Sequence, residues 1–82
     1  MAYMIELHYR CPADPGKESN LTERVMKMGG RLDYREVPRG EFDPQNICLT
    51  YEFDSFEKAD TAAQLLRREG HYVEGPQDYP DG

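Results

Sequence analysis

Apolar and polar residues alternate one by one along "YMIELHYR", with Tyr3, Ile5, Leu7 and Tyr9 in one set and Met4, Glu6, His8 and Arg10 in the other. A period of two belongs to a strand with one buried face and one wet face. "CPADPGKESN" breaks that strand, because two prolines and a glycine cannot continue a ladder. Beyond the break the period lengthens. Leu21, Val25 and Met28 recur at helical spacing, and Gly29 and Gly30 close the helix. Two caps fit its start: Asp14 followed by Pro15, or Asn20 with Glu23 reaching back.

"RLDYREV" predicts a second strand, with Leu32 and Tyr34 on one face and Arg31, Asp33 and Arg35 on the other. Its polarity places it at a sheet edge. After the connection "PRGEFDPQN", the segment "ICLTYEF" sets Ile47, Leu49, Tyr51 and Phe53 against Cys48, Thr50 and Glu52, the pattern of a central strand. "DSFEKADTAAQLLRREG" then predicts a helix capped by Asp54 or Ser55, with Phe56, Ala59, Ala63 and Leu66 inward and Gly70 as its stop. "HYVEG" predicts a short last strand. Residues 1–75 therefore form the expected single domain, and residues 76–82 an expected acidic, flexible tail.

The order β-α-β-β-α-β, with right-handed crossovers, predicts an α+β ferredoxin-like fold: an antiparallel sheet ordered 4-1-3-2 with both helices on one face. The other face is left open. Matching the apolar sets pairs Leu7 with Leu49, which sets His8 opposite Cys48, Glu6 opposite Thr50 and Met4 opposite Glu52. Pairing Tyr34 with Leu49 adds Arg35 beside Cys48, Asp33 beside Thr50 and Arg31 beside Glu52, whereas a slip by two residues would keep the faces and change the rows.

Composition sharpens the expectation of function mainly by exclusion. Sixteen acidic against ten basic residues give a net charge of −6, which removes the electrostatic drive for binding nucleic acid or anionic membranes. A basic protein surface is the partner this charge favours. The aromatics of the two central strands fall in the inward set, so the open face lacks the stacking platform of an RNA-binding sheet. No apolar run approaches about 18 residues, and the N-terminal stretch lacks a signal-peptide core. Two cysteines, Cys11 and Cys48, are too few for a disulfide framework, so a cytoplasmic protein with reduced thiols is expected.

Three groups carry candidate chemistry. A thiol at Cys48 between Arg35 and His8 would have its thiolate stabilised, the arrangement of a nucleophile, although no orienting acid or oxyanion pocket accompanies it. His8, Cys11, Cys48 and His71 are metal-ligand types without paired spacing, so neither metal nor cofactor is expected. Phe42, between Glu41 and Asp43 in the long hairpin, is a residue for partner contact or for covering the end of a small core.

The turn "PADPG" resembles, through Asp14, Pro15 and Gly16, the turn after the first strand of ACT-type regulatory domains, which share the β-α-β-β-α-β order. That resemblance implies a small-molecule site at Asp14 and Gly16. At the level of topology alone, the chain is also similar to the ribonuclease E inhibitor B family and to dimeric α+β barrel enzymes.

The leading expectation is a small, acidic, non-enzymatic regulatory or interaction module. Its partner protein would bind at the open face (Glu6, His8, Arg10, Arg35, Cys48, Thr50, Glu52), an edge strand or the hairpin at Phe42. The alternatives are an ACT-like sensing domain and a small enzyme using Cys48 or His8. Charges on the open face disfavour a dry dimer there, so a monomer or weak homodimer is expected.

Overall fold

The computed structural model describes residues 1–39 and 45–80. Its elements follow the expected order: β1 (Tyr3–Arg10), α1 (Pro15–Lys27), β2 (Gly30–Glu36), β3 (Asn46–Phe53), α2 (Phe56–Arg68) and β4 (Tyr72–Asp78). The strands form one antiparallel sheet ordered β2-β3-β1-β4. Read from its other edge, this is the order 4-1-3-2, and the fold is ferredoxin-like α+β. No helix among the described residues is long and apolar enough to cross a membrane.

Both helices are started by side chains that satisfy their first orphan amides. Asp14 caps α1 by accepting from the Lys17 amide at 3.0 Å, with Pro15 at the first turn, and Ser55 caps α2 by accepting from the Lys58 amide at 3.3 Å. Between the helices and the sheet lie Ile5, Leu7, Ile47, Leu49, Tyr51 and Phe53 from the strands. Leu21 and Val25 meet them from α1, and Ala59, Ala62, Ala63 and Leu66 from α2. The alanines let α2 seat closely against the sheet. Phe56, expected inward, is instead half exposed and packs edge-on against Tyr3, with ring centroids 5.7 Å apart. Buried in this layer, the Tyr51 phenol is satisfied by Thr22 at 3.0 Å.

The β1–β3 register is the expected one at every position, including His8 with Cys48 and Glu6 with Thr50. The β2–β3 register is not. Arg31 pairs with Glu52 and Leu32 with Tyr51, but a bulge at Asp33 then shifts the strand, so that Tyr34 meets Thr50, Arg35 meets Leu49 and Glu36 meets Cys48. One extra residue turns every later side chain to the opposite face. Arg35 therefore leaves the open face and joins Glu18 of α1, with Nε and Nη2 donating at 2.6 and 3.1 Å. Glu18 also accepts from the Tyr9 hydroxyl, which in turn accepts from the Asp14 amide at 3.0 Å. This chain of bonds ties β1, β2 and the start of α1 together.

β4 reaches Asp78, so the first residues of the expected tail belong to the sheet. Pairing with β1 is interrupted between Met4 and Glu6 and resumes at Gln77 and Asp78. Gly75 permits this detour with φ +104°, and a Cβ there would lie 2.7 Å from the Met4 carbonyl oxygen. Arg67 of α2 secures the strand by donating to the carbonyls of Val73 at 3.0 Å and Gly75 at 2.6 Å.

Candidate functional site

With both helices packed on one side, the chemistry-bearing residues collect on the other. β1 supplies Met4, Glu6 and His8, and β3 supplies Cys48, Thr50 and Glu52 directly opposite them. β4 lies on the far side of β1, and its pairing of Val73 with Leu7 places Glu74 opposite Glu6 and Tyr72 opposite His8. On the other flank β2 contributes Arg31, Tyr34 and Glu36 beside Glu52, Thr50 and Cys48.

The centre of this face is shielded although no helix covers it. Cys48, Thr50 and Glu52 are only 9%, 5% and 3% exposed. Glu52 forms an ion pair with Arg31, though its Oε1 accepts no well-aligned hydrogen bond among the described residues. The Tyr79 hydroxyl donates to Asp33 of β2, and the Tyr79 amide donates to the Ala2 carbonyl at 2.9 Å. The residue after β4 thus leans across the sheet toward β2. The Asp33 carboxylate that accepts from Tyr79 raises its pKa, helped by burial and by the charges of Asp33, Glu52 and Glu6.

Electrostatics settle the state of Cys48. Its thiol stands 3.8 Å from Glu6 Oε2, to which it donates. Burial first, then the negative charges of Glu6 and Glu36, push its pKa up to about 11. The bulge that removes Arg35 and substitutes Glu36 therefore reverses the expected chemistry: the site holds a thiol, not an activated thiolate.

His8 finds its partner on β4 and not on β3. Its Nε2 lies 2.8 Å from Glu74 Oε1, and its ring meets Tyr72 edge-on at 5.4 Å between centroids. Gln77 Nε2 donates to Glu6 Oε1 at 3.3 Å. Glu6, His8 and Glu74 each present a ligand atom within 4.8 Å of the other two.

The remaining expected residues scatter. Arg10 is exposed at the end of β1, opposite Asn46. Asp14 has its carboxylate engaged in the helix cap, and Gly16 lies in the first turn of α1. Phe42 lies outside the described residues. Cys11 packs in part against the core, with its amide donating to the Gln45 carbonyl at 2.9 Å. His71 falls among Lys17, Arg24 and Glu69, where burial first and the nearby cations next lower its pKa. The four metal-ligand types of the sequence are therefore not gathered. Tyr34, Glu36, Tyr72, Glu74, Gln77 and Tyr79 are the contributors that sequence reasoning did not place here. For Tyr72 and Glu74 a signal existed, since aligning Val73 with Leu7 by the same apolar matching puts both on the open face.

The fold and this face together define a ferredoxin-like α+β protein with an acidic, partly self-covered open sheet. No family model, curated protein or solved structure matches the chain.

Proposed function

We propose that this protein is a small, non-enzymatic interaction module that docks an arginine-bearing basic protein surface on its open sheet face. One observation carries the reading. Two exposed tyrosines, Tyr34 and Tyr72 at 52% and 64% exposure, stand on opposite flanks of the face, with the carboxylates of Glu6, Glu36 and Glu74 among the residues between and beside them. Guanidinium groups stack on tyrosine rings and take carboxylates in paired hydrogen bonds, so this surface offers arginine both of its preferred contacts. Exposed tyrosine is enriched at interfaces, and the net charge of −6 steers a basic partner toward the protein. A groove of about 360 Å³, lined by His8, Glu36, Val37, Pro38, Arg39, Asn46 and Cys48, supplies concavity on the same side.

The protonated state of Cys48 supports leaving thiol chemistry out of the function. Asp14 Oδ1 at the ACT-like turn is engaged by the Lys17 amide, which gives this residue a structural role as a helix cap.

A nona-arginine peptide added to the ¹⁵N-labelled chain tests the reading. Amide shifts are expected at Glu6, His8, Tyr34, Glu36 and Glu74, fading as salt rises. Reversing Glu36 and Glu74 together to lysine is expected to weaken binding at least tenfold. Shifts confined to α1 or α2, or an unchanged affinity in the reversed variant, would overturn it.

A further inference from the structure

Glu6 and Glu74 are direct cross-strand partners on β1 and β4. Like charges placed opposite each other destabilise a sheet unless a cation joins them. His8 supplies the third member of the group, one pleat along the same face of β1, with Nε2 at 2.8 Å from Glu74 Oε1. We propose that Glu6, His8 and Glu74 form a binding site for a divalent transition-metal ion of the zinc class.

The donor set selects the class of ion. Imidazole nitrogen with carboxylate oxygens suits zinc and its first-row neighbours, whereas calcium and magnesium favour oxygen alone. Three protein ligands leave a coordination position for water. Atoms bound about 2.0–2.2 Å from a shared ion lie roughly 3–3.5 Å apart. The three ligand atoms already fall within 4.8 Å of one another, so loading draws the wider pairs together and opens the His8–Glu74 contact slightly. Side-chain rotation on neighbouring strands accommodates movements of this size.

The ligands are also held from outside. Gln77 donates to Glu6 Oε1 at 3.3 Å, and the Tyr72 ring flanks the His8 imidazole edge-on. Such restraints fix the direction of a ligand before the ion arrives. The ion takes the Nε2 lone pair, so a proton carried on that nitrogen is displaced to Nδ1 or to solvent on binding. Glu6 and Glu74 are also among the carboxylates that meet the partner proposed above, so ion and partner compete for them, but every metal ligand comes from this chain and binding of the ion requires no partner.

Calorimetric titration of the chelator-treated, 82-residue chain with zinc chloride tests the proposal without any partner. One equivalent is expected to bind, and His8→Ala and Glu74→Gln are each expected to weaken binding by more than tenfold. Gln77→Ala is expected to cost about tenfold, as loss of an outer support does. His71→Ala, removing the other imidazole, is expected to leave the affinity unchanged. Circular dichroism establishes that each variant folds. In the unaltered chain, cobalt(II) is expected to shift and broaden the His8 ring resonances and spare those of His71, a readout that needs no substitution. Zinc affinity in the wild type no greater than in His8→Ala, an equal loss in His71→Ala, or cobalt effects centred on His71 would overturn the assignment.

Discussion

Alkylation of Cys48 tests the electrostatic reading of the open face directly. With a pKa of about 11 in place of the ordinary 9.0, the thiolate fraction at pH 8 falls from about one in ten to about one in a thousand. That loss of roughly 100-fold is offset in part, because a more basic thiolate is intrinsically more nucleophilic. A Brønsted slope of about 0.4–0.5 returns roughly six- to tenfold over two pKa units. The native protein should therefore react with iodoacetamide at least tenfold more slowly at Cys48 than the urea-unfolded chain does, with burial at 9% exposure slowing it further. Quenched time points, digested and mapped by mass spectrometry, separate Cys48 from Cys11. Because burial is the largest cause and the charge of Glu6 the next, Glu6→Gln should recover only part of the rate. Reaction of native Cys48 as fast as in the unfolded chain would refute this account and restore a thiol-based activity as a candidate.

Two further outcomes follow from the packing. Arg35 and Tyr9, by hydrogen bonding to Glu18, hold its carboxyl below its ordinary pKa, so the stability it adds is present above the unfolded carboxylate range and is lost as the pH falls through the folded pKa. Glu18→Gln should lower the thermal midpoint at neutral pH, and its gap from the wild type should narrow in melts taken at progressively more acidic pH. Gly30, at the start of β2, and Gly16, inside α1, should respond differently. A Cβ on Gly30 would fall 2.6 Å from the Phe53 ring and 2.7 Å from Val25, so Gly30→Ala is expected to cost about 1–3 kcal/mol in urea unfolding. Gly16 lies in the first turn of α1 with its nearest neighbour at 3.6 Å, so Gly16→Ala should be neutral or stabilising by up to about 1 kcal/mol.

Alternating and helical periods along the chain determined the six elements, their order, the ferredoxin-like topology and the face on which His8, Cys48, Glu6 and Thr50 meet. These are properties of local pattern. A strand buried on one side must repeat every two residues, which assigns each residue of the two central strands to a face; a slip by two would keep those faces, and the folded sheet adopts the expected rows. β2 carries too few large apolar side chains for its pattern to do the same. Only the tertiary structure decided that Asp33 bulges, since Arg35 gains Glu18 and Tyr9 only when the strand lies against α1. That one extra residue exchanged Arg35 for Glu36 beside Cys48, and with it the sign of the charge acting on the thiol. The reach of β4 past Gly75 and the return of Tyr79 to Asp33 were equally beyond pattern, because each joins residues distant in the chain that are neighbours only in the folded sheet. The convergence of Glu6, His8 and Glu74 lay between these cases. Its strand pairing was implicit in the alignment of Val73 with Leu7, while the distances and the supporting hydrogen bond from Gln77 exist only once the bulged β4 has closed onto β1.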